Sequence, residues 1–358
     1  MRQDWILNAA GIFLALCSLL ILSSIDTGLF AQQLISFLIA ALIVWLFASV
    51  DWRPLANYKW LVFGFYLFTI VLLIVTAVMA PTIRGARSWI VLGPVQFQTS
   101  ELAKVALIVL LAYFFARRHI GIARWGVLLK SFVYFIIPAF LVLRQPDLGS
   151  TISVFCIWLG FLLVSGIRWK HLLIGLIILL LIFGLAWNFF LKPYQKERVL
   201  AFVNPNYDPL GFNYNVIQSK IAIGSAGFFG KGYQQGTQVQ LGFLPAAATD
   251  FIFSAFTEEW GMLGAVLVIA AFVLLLLRII KIGAAAHDNF SKLICLGTAI
   301  LFLGHFIINM GSALGMLPVV GITFPFLSYG GSSVLTGAML IGIIQSAVLR
   351  SSFVRVRD

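Results

Sequence analysis

Charge is scarce in this chain: 10% of its 358 residues are Asp, Glu, Lys or Arg, against 61% that are hydrophobic. With a mean hydropathy of +1.04, most side chains need an apolar solvent, which excludes a water-soluble domain and a disordered chain. Cysteine is scarce as well. Cys17, Cys156 and Cys295 fall singly inside apolar runs with no CxxC pair, so neither a disulfide framework nor a zinc site is indicated. No G-x-x-x-x-G-K-[ST] stretch occurs, and the loops expected on the inner side are too short for a nucleotide domain, which disfavours ATP-driven chemistry. The first apolar run, Ile6 to Leu22, lacks a small-residue cleavage site and is followed at once by another. It is read as a retained helix, not a removed signal peptide.

Long apolar runs are what the chain has in abundance. Membrane spans are expected near 6–24, 30–50, 60–80, 101–116, 128–143, 149–166, 171–191, 251–278, 290–311 and 331–349. That describes an all-α polytopic membrane protein of about ten transmembrane helices, one integral membrane domain over 1–358. Two spans are weaker: 101–116 carries Glu101 and Lys104, and 128–143 is short and contains Pro138.

A net charge of +12 is compatible with nucleic acid binding, but the basic residues sit in short loops between spans and form no continuous face. Fifteen Arg and Lys fall on the N-terminal side of the ten-helix arrangement and eight on the other, which puts both termini in the cytoplasm. The long segment 192–250 between helices 7 and 8 is then extracytoplasmic, and so are 81–100, the turn Arg144-Gln145-Pro146-Asp147 and Gly311 to Gly330. Chemistry is expected at that outer face.

Asp250 stands where the long polar segment meets a new apolar run, Phe251-Ile252-Phe253. A carboxylate at the mouth of a membrane helix is costly, and it is the first candidate for function. Within 192–250 the mixture of Gly, Asn and Pro with many aromatics is unlike a solvated linker. Phe212 to Ile223 has helical apolar spacing and is expected to lie along the outer membrane surface. Gly224, Gly227, Gly230 and Gly232 let the backbone approach a ligand or another helix, a glycine-rich turn being the simpler reading than a phosphate loop. From Asn309 to Ser333, Pro318 and Pro325 point to a broken or re-entrant segment lined by protein.

Other polar residues divide between structural and functional readings. Glu101 and Lys104, three apart on one helix, form a natural neutralised pair or line a substrate cavity. Asp147 pairs with Arg144 across a turn or reaches the same cavity. Glu258, eight residues after Asp250 and about 12 Å along a helix axis, is too far to act with it, so Glu258 and Glu259 are read as structural. His305 is read as a satisfied packing residue.

Five blocks run through nearly the whole chain: GARSWIVLGPVQFQTSELAK at 85–104, QPDLGS at 145–150, YQKERVLAFVNP at 194–205, YNVIQSKIAIGSAGFFGKG at 214–232 with TDFIFSAFTEE at 249–259, and PFLSYGGSS at 325–333. In order and wording the chain resembles the SEDS family of bacterial cell-wall synthesis, closer to its rod-shape branch than to its division branch. The resemblance implies a peptidoglycan glycosyltransferase that polymerises lipid II and works with a class B penicillin-binding protein, with Asp250 as the family's essential acid. An acceptor hydroxyl must lose a proton as it attacks, the role of a general base, and Asp250 is assigned to it. The pyrophosphate leaving group calls for cations, for which Arg84, Arg87, Arg144, Lys192, Lys196 and Arg198 are the outer-side candidates, with Lys220 expected in the wider substrate-binding set. Glu101, Lys104, Asp147 and Ser328 complete the expected substrate-binding set. A divalent cation, Mg2+ or Mn2+, is expected because of the pyrophosphate, although no ligand spacing announces it.

The chain departs from the family at Ala246-Ala247-Ala248, where acidic and basic or histidine residues usually precede T-D-F, and more mildly at Thr99 and Ala226. Two rival readings remain: a lipid II flippase with outer acids as gates, and a non-catalytic scaffold for the penicillin-binding protein.

Overall fold

The computed structural model describes residues 3–81, 87–92, 95–117, 125–185 and 213–354, together with 188, 196, 197, 200, 202, 204 and 211. Helices α1 (Trp5–Ile25), α2 (Thr27–Ser49), α3 (Lys59–Met79), α4 (Thr99–Ala116) and α5 (Trp125–Arg144) come first, followed by α6 (Leu148–Val164) and α7 (Trp169–Leu185). Two short helices, α8 (Tyr214–Ser225) and α9 (Thr237–Gln240), precede α10 (Ile252–Ala285), α11 (Asn289–Ala313) and α12 (Gly331–Val354). Among the described residues eight helices are long and apolar enough to cross a membrane, and α6 and α7 add two shorter apolar ones. The ten apolar helices therefore fall where the runs predict. Pro138 is kept inside α5.

Helix α4 is the centre. Its least apolar composition among the first five spans, hydropathy 1.7, goes with near-complete burial from Thr99 to Phe115. A helix surrounded by protein does not need an apolar exterior, and charged residues inside a membrane turn toward the bundle. Around it pack α3, α5, α6, α11 and α12; α2 lies along α12, and α10 lies between α1 and α11. Helices such as α2 and α3 keep broad exposed apolar faces for lipid.

Just before α4, Trp89–Leu92 (β1) and Val95–Gln98 (β2) form an antiparallel hairpin in which Trp89 faces Gln98 and Leu92 faces Val95. The expected loop 81–100 thus contains a small sheet. After α11, residues 314–330 leave the helix and return to start α12, the broken segment anticipated from Pro318 and Pro325.

The main irregularity lies within α10. Gly261 has φ 71° and ψ −173°, which splits the helix into a short stretch carrying Glu258 and Glu259 and a long membrane-crossing stretch. The freed backbone groups are taken up by the strap 227–232. Lys231 N donates to Glu258 O (2.9 Å) and Gly232 N to Glu259 O (3.1 Å), while Met262 N and Leu263 N donate to Gly227 O (3.0 Å) and Phe228 O (3.1 Å). A Cβ on Gly230 would lie 2.1 Å from Glu259 O, and one on Gly261 would lie 2.3 Å from Gly230 N. The glycine run serves a close approach to a helix. The amphipathic helix foreseen at 212–223 is α8, and it packs on α10 and α11, where Ser219 Oγ donates to Ala313 O and bonds Ser254 Oγ, both at 2.7 Å.

Gly261→Ala is expected to destabilise the protein by about 1–3 kcal/mol through strain and overpacking. Gly224→Ala, on α8 with open space around the new methyl, should be neutral or slightly stabilising. Thermal unfolding of both purified variants in detergent checks the contrast; equal melting temperatures would contradict the role given to Gly261.

Candidate active site

Asp250 lies in the turn ahead of α10, half-buried, so it shares no helical face with Glu258. That turn is built from main chain. Ala246 adopts the left-handed region at φ 53°, and its carbonyl accepts from Thr249 N (3.0 Å) and Phe251 N (3.3 Å). Ala247 and Ala248 are buried. The three alanines therefore supply backbone and packing to this turn.

Loop 314–330 clamps this turn. Ser328 Oγ donates to Thr249 O (2.7 Å) and accepts from Phe324 N (2.8 Å), and Tyr329 N donates to Ala248 O (2.8 Å). Asn309, buried near the end of α11, donates through Nδ2 to Asp250 O (3.1 Å) and Ile322 O (2.8 Å). Beneath the clamp, Phe324 is fully buried against Phe253, Phe272 and Phe306. Ser328 is thus engaged within the chain on both sides, and through these bonds it positions the turn carrying Asp250.

The clamp is anchored in turn to α2. Gln33, completely buried, donates to Ser328 O (3.2 Å) and accepts from Gly330 N (3.2 Å), and the Tyr329 hydroxyl donates to Gln32 Oε1. Burial and, secondarily, the negative charge of Asp26 push the Tyr329 phenol above its ordinary pKa, so it remains a neutral donor.

Glu101 and Lys104 form the neutralised pair that their spacing allows, Nζ to Oε1 2.7 Å, with side chains 2% and 7% exposed for Lys104 and Glu101 respectively. His305 is a member of that network: its Nε2 lies 3.1 Å from Ser153 Oγ and 3.5 Å from Lys104 Nζ. Glu101 Oε2 is buried without a protein partner beside a narrow crevice of about 10 Å3 lined by Glu101, His305, Phe326, Ser333 and Thr336. Phe326 belongs to the same loop that clamps Asp250, so the two polar clusters flank one loop.

Asp147 pairs with α4 and the hairpin, not with Arg144. It caps α6 at Ser150 N (2.9 Å) and accepts from Gln98 Nε2 (2.8 Å) and Ser100 Oγ (3.3 Å), while exposed Arg144 stands over the Phe140 ring. Gln98 N donates to Ser332 Oγ (2.9 Å), joining the hairpin to the start of α12. Glu258 is structural: it accepts from Lys231 Nζ (2.7 Å), Thr237 Oγ1 (3.2 Å), Gln238 N (3.0 Å) and Val239 N (3.3 Å). Glu259 accepts from Ser24 Oγ. Of the expected cations, Arg87 and Lys220 are exposed, Lys220 lying against Gly315, and Arg84 and Arg198 fall outside the described residues. Among the described residues no three His, Cys, Asp or Glu side chains gather to hold a metal.

Asn309, Gln33, Gln98 and Ser332 escaped assignment from sequence. Asn309 stands out as a lone amide in an apolar run; the others give no local signal, because their partners are far away in the chain.

The family model described as "Cell cycle protein" (FtsW, RodA, SpoVE) matches residues 3–352. The chain belongs to the FtsW/RodA/SpoVE family. Among curated members, it is 37% identical over 288 residues to peptidoglycan glycosyltransferase MrdB of Escherichia coli K12, covering 78% of this chain and 76% of that one. A chain from a solved peptidoglycan synthase complex, described for structural coordination of polymerization and crosslinking, superposes with a TM-score of 0.85 at 33% identity, over 98% of this chain and 99% of that chain. The crystal structure of Thermus thermophilus rod shape determining protein RodA superposes at 0.73 with 29% identity over 98% of both. The clamp and the buried pair described above are thus features of an FtsW/RodA/SpoVE member read from its own side chains.

In this family member Lys104→Met should cost about 3–5 kcal/mol by leaving Glu101 buried and uncompensated. Adding Glu101→Leu should recover a large part of the loss. Chemical unfolding of the two single variants and the double variant measures the coupling; losses that simply add would contradict the pairing.

Proposed function

We propose that Asp250 is the general base with which this chain, a peptidoglycan glycosyltransferase like its curated relatives, joins lipid II units into glycan strands. The observation that carries the proposal is a half-buried carboxylate on a turn whose backbone is fixed from three directions, by Asn309, Ser328 and Tyr329. Catalysis by proton transfer needs a group held in reach of the hydroxyl it serves, and a turn fixed through its carbonyls holds its side chain at a set place.

In the step itself the acceptor hydroxyl gives its proton to the Asp250 carboxylate as its oxygen bonds to the donor's anomeric carbon. The bond from that carbon to the pyrophosphate breaks, and undecaprenyl pyrophosphate departs with the electron pair. No acid is needed to protonate so good a leaving group. Its negative charge calls for cations, a purpose that Arg87 and Lys220 serve, and Arg84 and Arg198 remain candidates for it from the sequence alone. A Mg2+ or Mn2+ ion bound together with the pyrophosphate would supply further positive charge to the leaving group. Magnesium is commonly held that way, by few protein oxygens and several from phosphate.

The same reading places the Asp250 end outside the cell membrane and both termini in the cytoplasm, supported by the excess of Arg and Lys at the opposite end. A class B penicillin-binding protein is the proposed partner, supported by the likeness to a chain of a peptidoglycan synthase complex. The flippase reading draws less support, because Lys104, Glu101 and His305 are closed on one another within the bundle. The scaffold reading has no observation in its favour beyond the alanines at 246–248.

Asp250→Asn is expected to lower glycan polymerisation from purified lipid II about 10²–10⁴-fold, with the melting temperature and partner binding retained. Asn309→Ala should lower turnover by a smaller factor through misplacement of the turn. Polymer formed at the parental rate by folded Asp250→Asn would overturn the assignment. A parent that makes none with its partner, yet moves lipid II across vesicles, would favour the flippase.

A further inference from the structure

The strap 227–243, between α8 and the turn of Asp250, is turned inside out for a segment outside the long helices. Its apolar side chains point away from the protein: Phe228 is 61% exposed, Phe229 78%, Tyr233 46%, Leu241 65% and Phe243 46%. Its charge points inward. Lys231 Nζ is held by Glu258 and by Thr237 Oγ1 (2.8 Å), and Glu258 is fully buried.

Backbone polarity is hidden as well. The N–H groups of residues 231, 232, 235 and 238–242 all donate to acceptors within the chain. Irregular backbone survives at membrane depth only when its polar groups are satisfied by protein, and these eight N–H groups of the strap are.

The strap also lies at a definable height. Tyr233 OH bonds Ser23 Oγ (3.0 Å), and Gln240 Nε2 donates to Ser24 O (3.1 Å). Both serines are in the last turn of α1, whose 21 residues span about 31 Å, close to the hydrocarbon thickness of about 30 Å. The partners of Phe228 O and Gly227 O, Leu263 and Met262, are themselves exposed on α10, so the strap's apolar face continues the face that α10 turns to lipid.

We infer that the strap 227–243 is a lipid-contacting anchor, its aromatic side chains seated at the bilayer edge on the Asp250 side. Aromatic rings suit that zone because it offers an apolar interior and wet headgroups within one ring's length. Gln234 and Gln235, exposed at the strap's turn, are suited to the headgroup side. The consequence is a fixed depth: the strap is hydrogen-bonded to the break at Gly261, and the short stretch of α10 above that break begins directly after the turn of Asp250. The inference rests on burial and bonding and holds whether or not Asp250 is the base.

The test places a nitroxide at Phe229→Cys or Leu241→Cys on a Cys156→Ala background, since Cys156 is the native thiol that is not fully buried. Collision with oxygen and with a water-soluble nickel chelate is then measured in phosphatidylethanolamine–phosphatidylglycerol nanodiscs, for the chain alone and with its penicillin-binding partner. Labels at exposed Leu267 of α10 and at exposed His287 between α10 and α11 calibrate lipid and water. Oxygen-dominated collision at 229 and 241, matching 267 in both preparations, is the expected result. Nickel-dominated collision matching 287 would put the strap in water and overturn the inference. Loss of contact with both reagents once the partner binds would assign the face to protein and overturn it equally.

Discussion

A helix interrupted inside a membrane bundle must find new partners for the backbone groups it frees, and the Asp250 end of this molecule follows from how α10 does so. At Gly261 the strap residues Gly227 to Gly232 enter the gap and exchange four main-chain hydrogen bonds with the broken helix. Lipid offers none, so without the strap the interruption would be prohibitively costly. The break frees the short first stretch of α10 from the direction of the long one, and Glu258 then fastens the strap from the inside through Lys231 and the start of α9.

The same rule, that nothing polar is left to lipid, organises the second layer. Residues 314–330 cross between α11 and α12 without helical structure, and their backbone is tied to Asn309, Gln33 and the Asp250 turn. Two ion pairs neutralise charge in the interior, Lys104 with Glu101 and Lys231 with Glu258, while buried Glu259 accepts from Ser24 and Gln240. The carboxylate of Asp250 thus sits on backbone whose position is decided by the packing of α2, α10 and α11. Fixed donors and acceptors of this kind give an active site its precision.

The ten apolar helices were legible because lipid imposes a long apolar run on each. Even α4, with Glu101 and Lys104, was found, since its two charges neutralise each other within one turn. The broken segment after α11 and the helical character of 214–225 were announced by Pro318, Pro325 and the spacing of Val216, Ile217, Lys220, Ile221 and Gly224. The hairpin at 89–98 was not, because two four-residue strands are too short for alternation to mark. The motif marked Ser328 for substrate, but the bond of its hydroxyl to Thr249 O, 79 residues away, had no local signal. Asp147 left two partners open in the sequence, and its true ones, Gln98 and Ser100, lie 49 and 47 residues away. Contacts at such separations leave no local pattern, and neither does Gln33, which meets Ser328 across 295 residues.

The central claim is that the backbone clamp holds the Asp250 carboxylate against the acceptor hydroxyl. The most direct measurement is a structure of the chain with the proposed penicillin-binding partner and an unreactive lipid II analogue filling donor and acceptor positions. The account predicts the acceptor hydroxyl within about 3 Å of the Asp250 carboxylate, with the bonds from Asn309 and Ser328 to the turn unchanged. An acceptor hydroxyl paired with another side chain, or a turn that has left its clamp to reach the sugar, would contradict it.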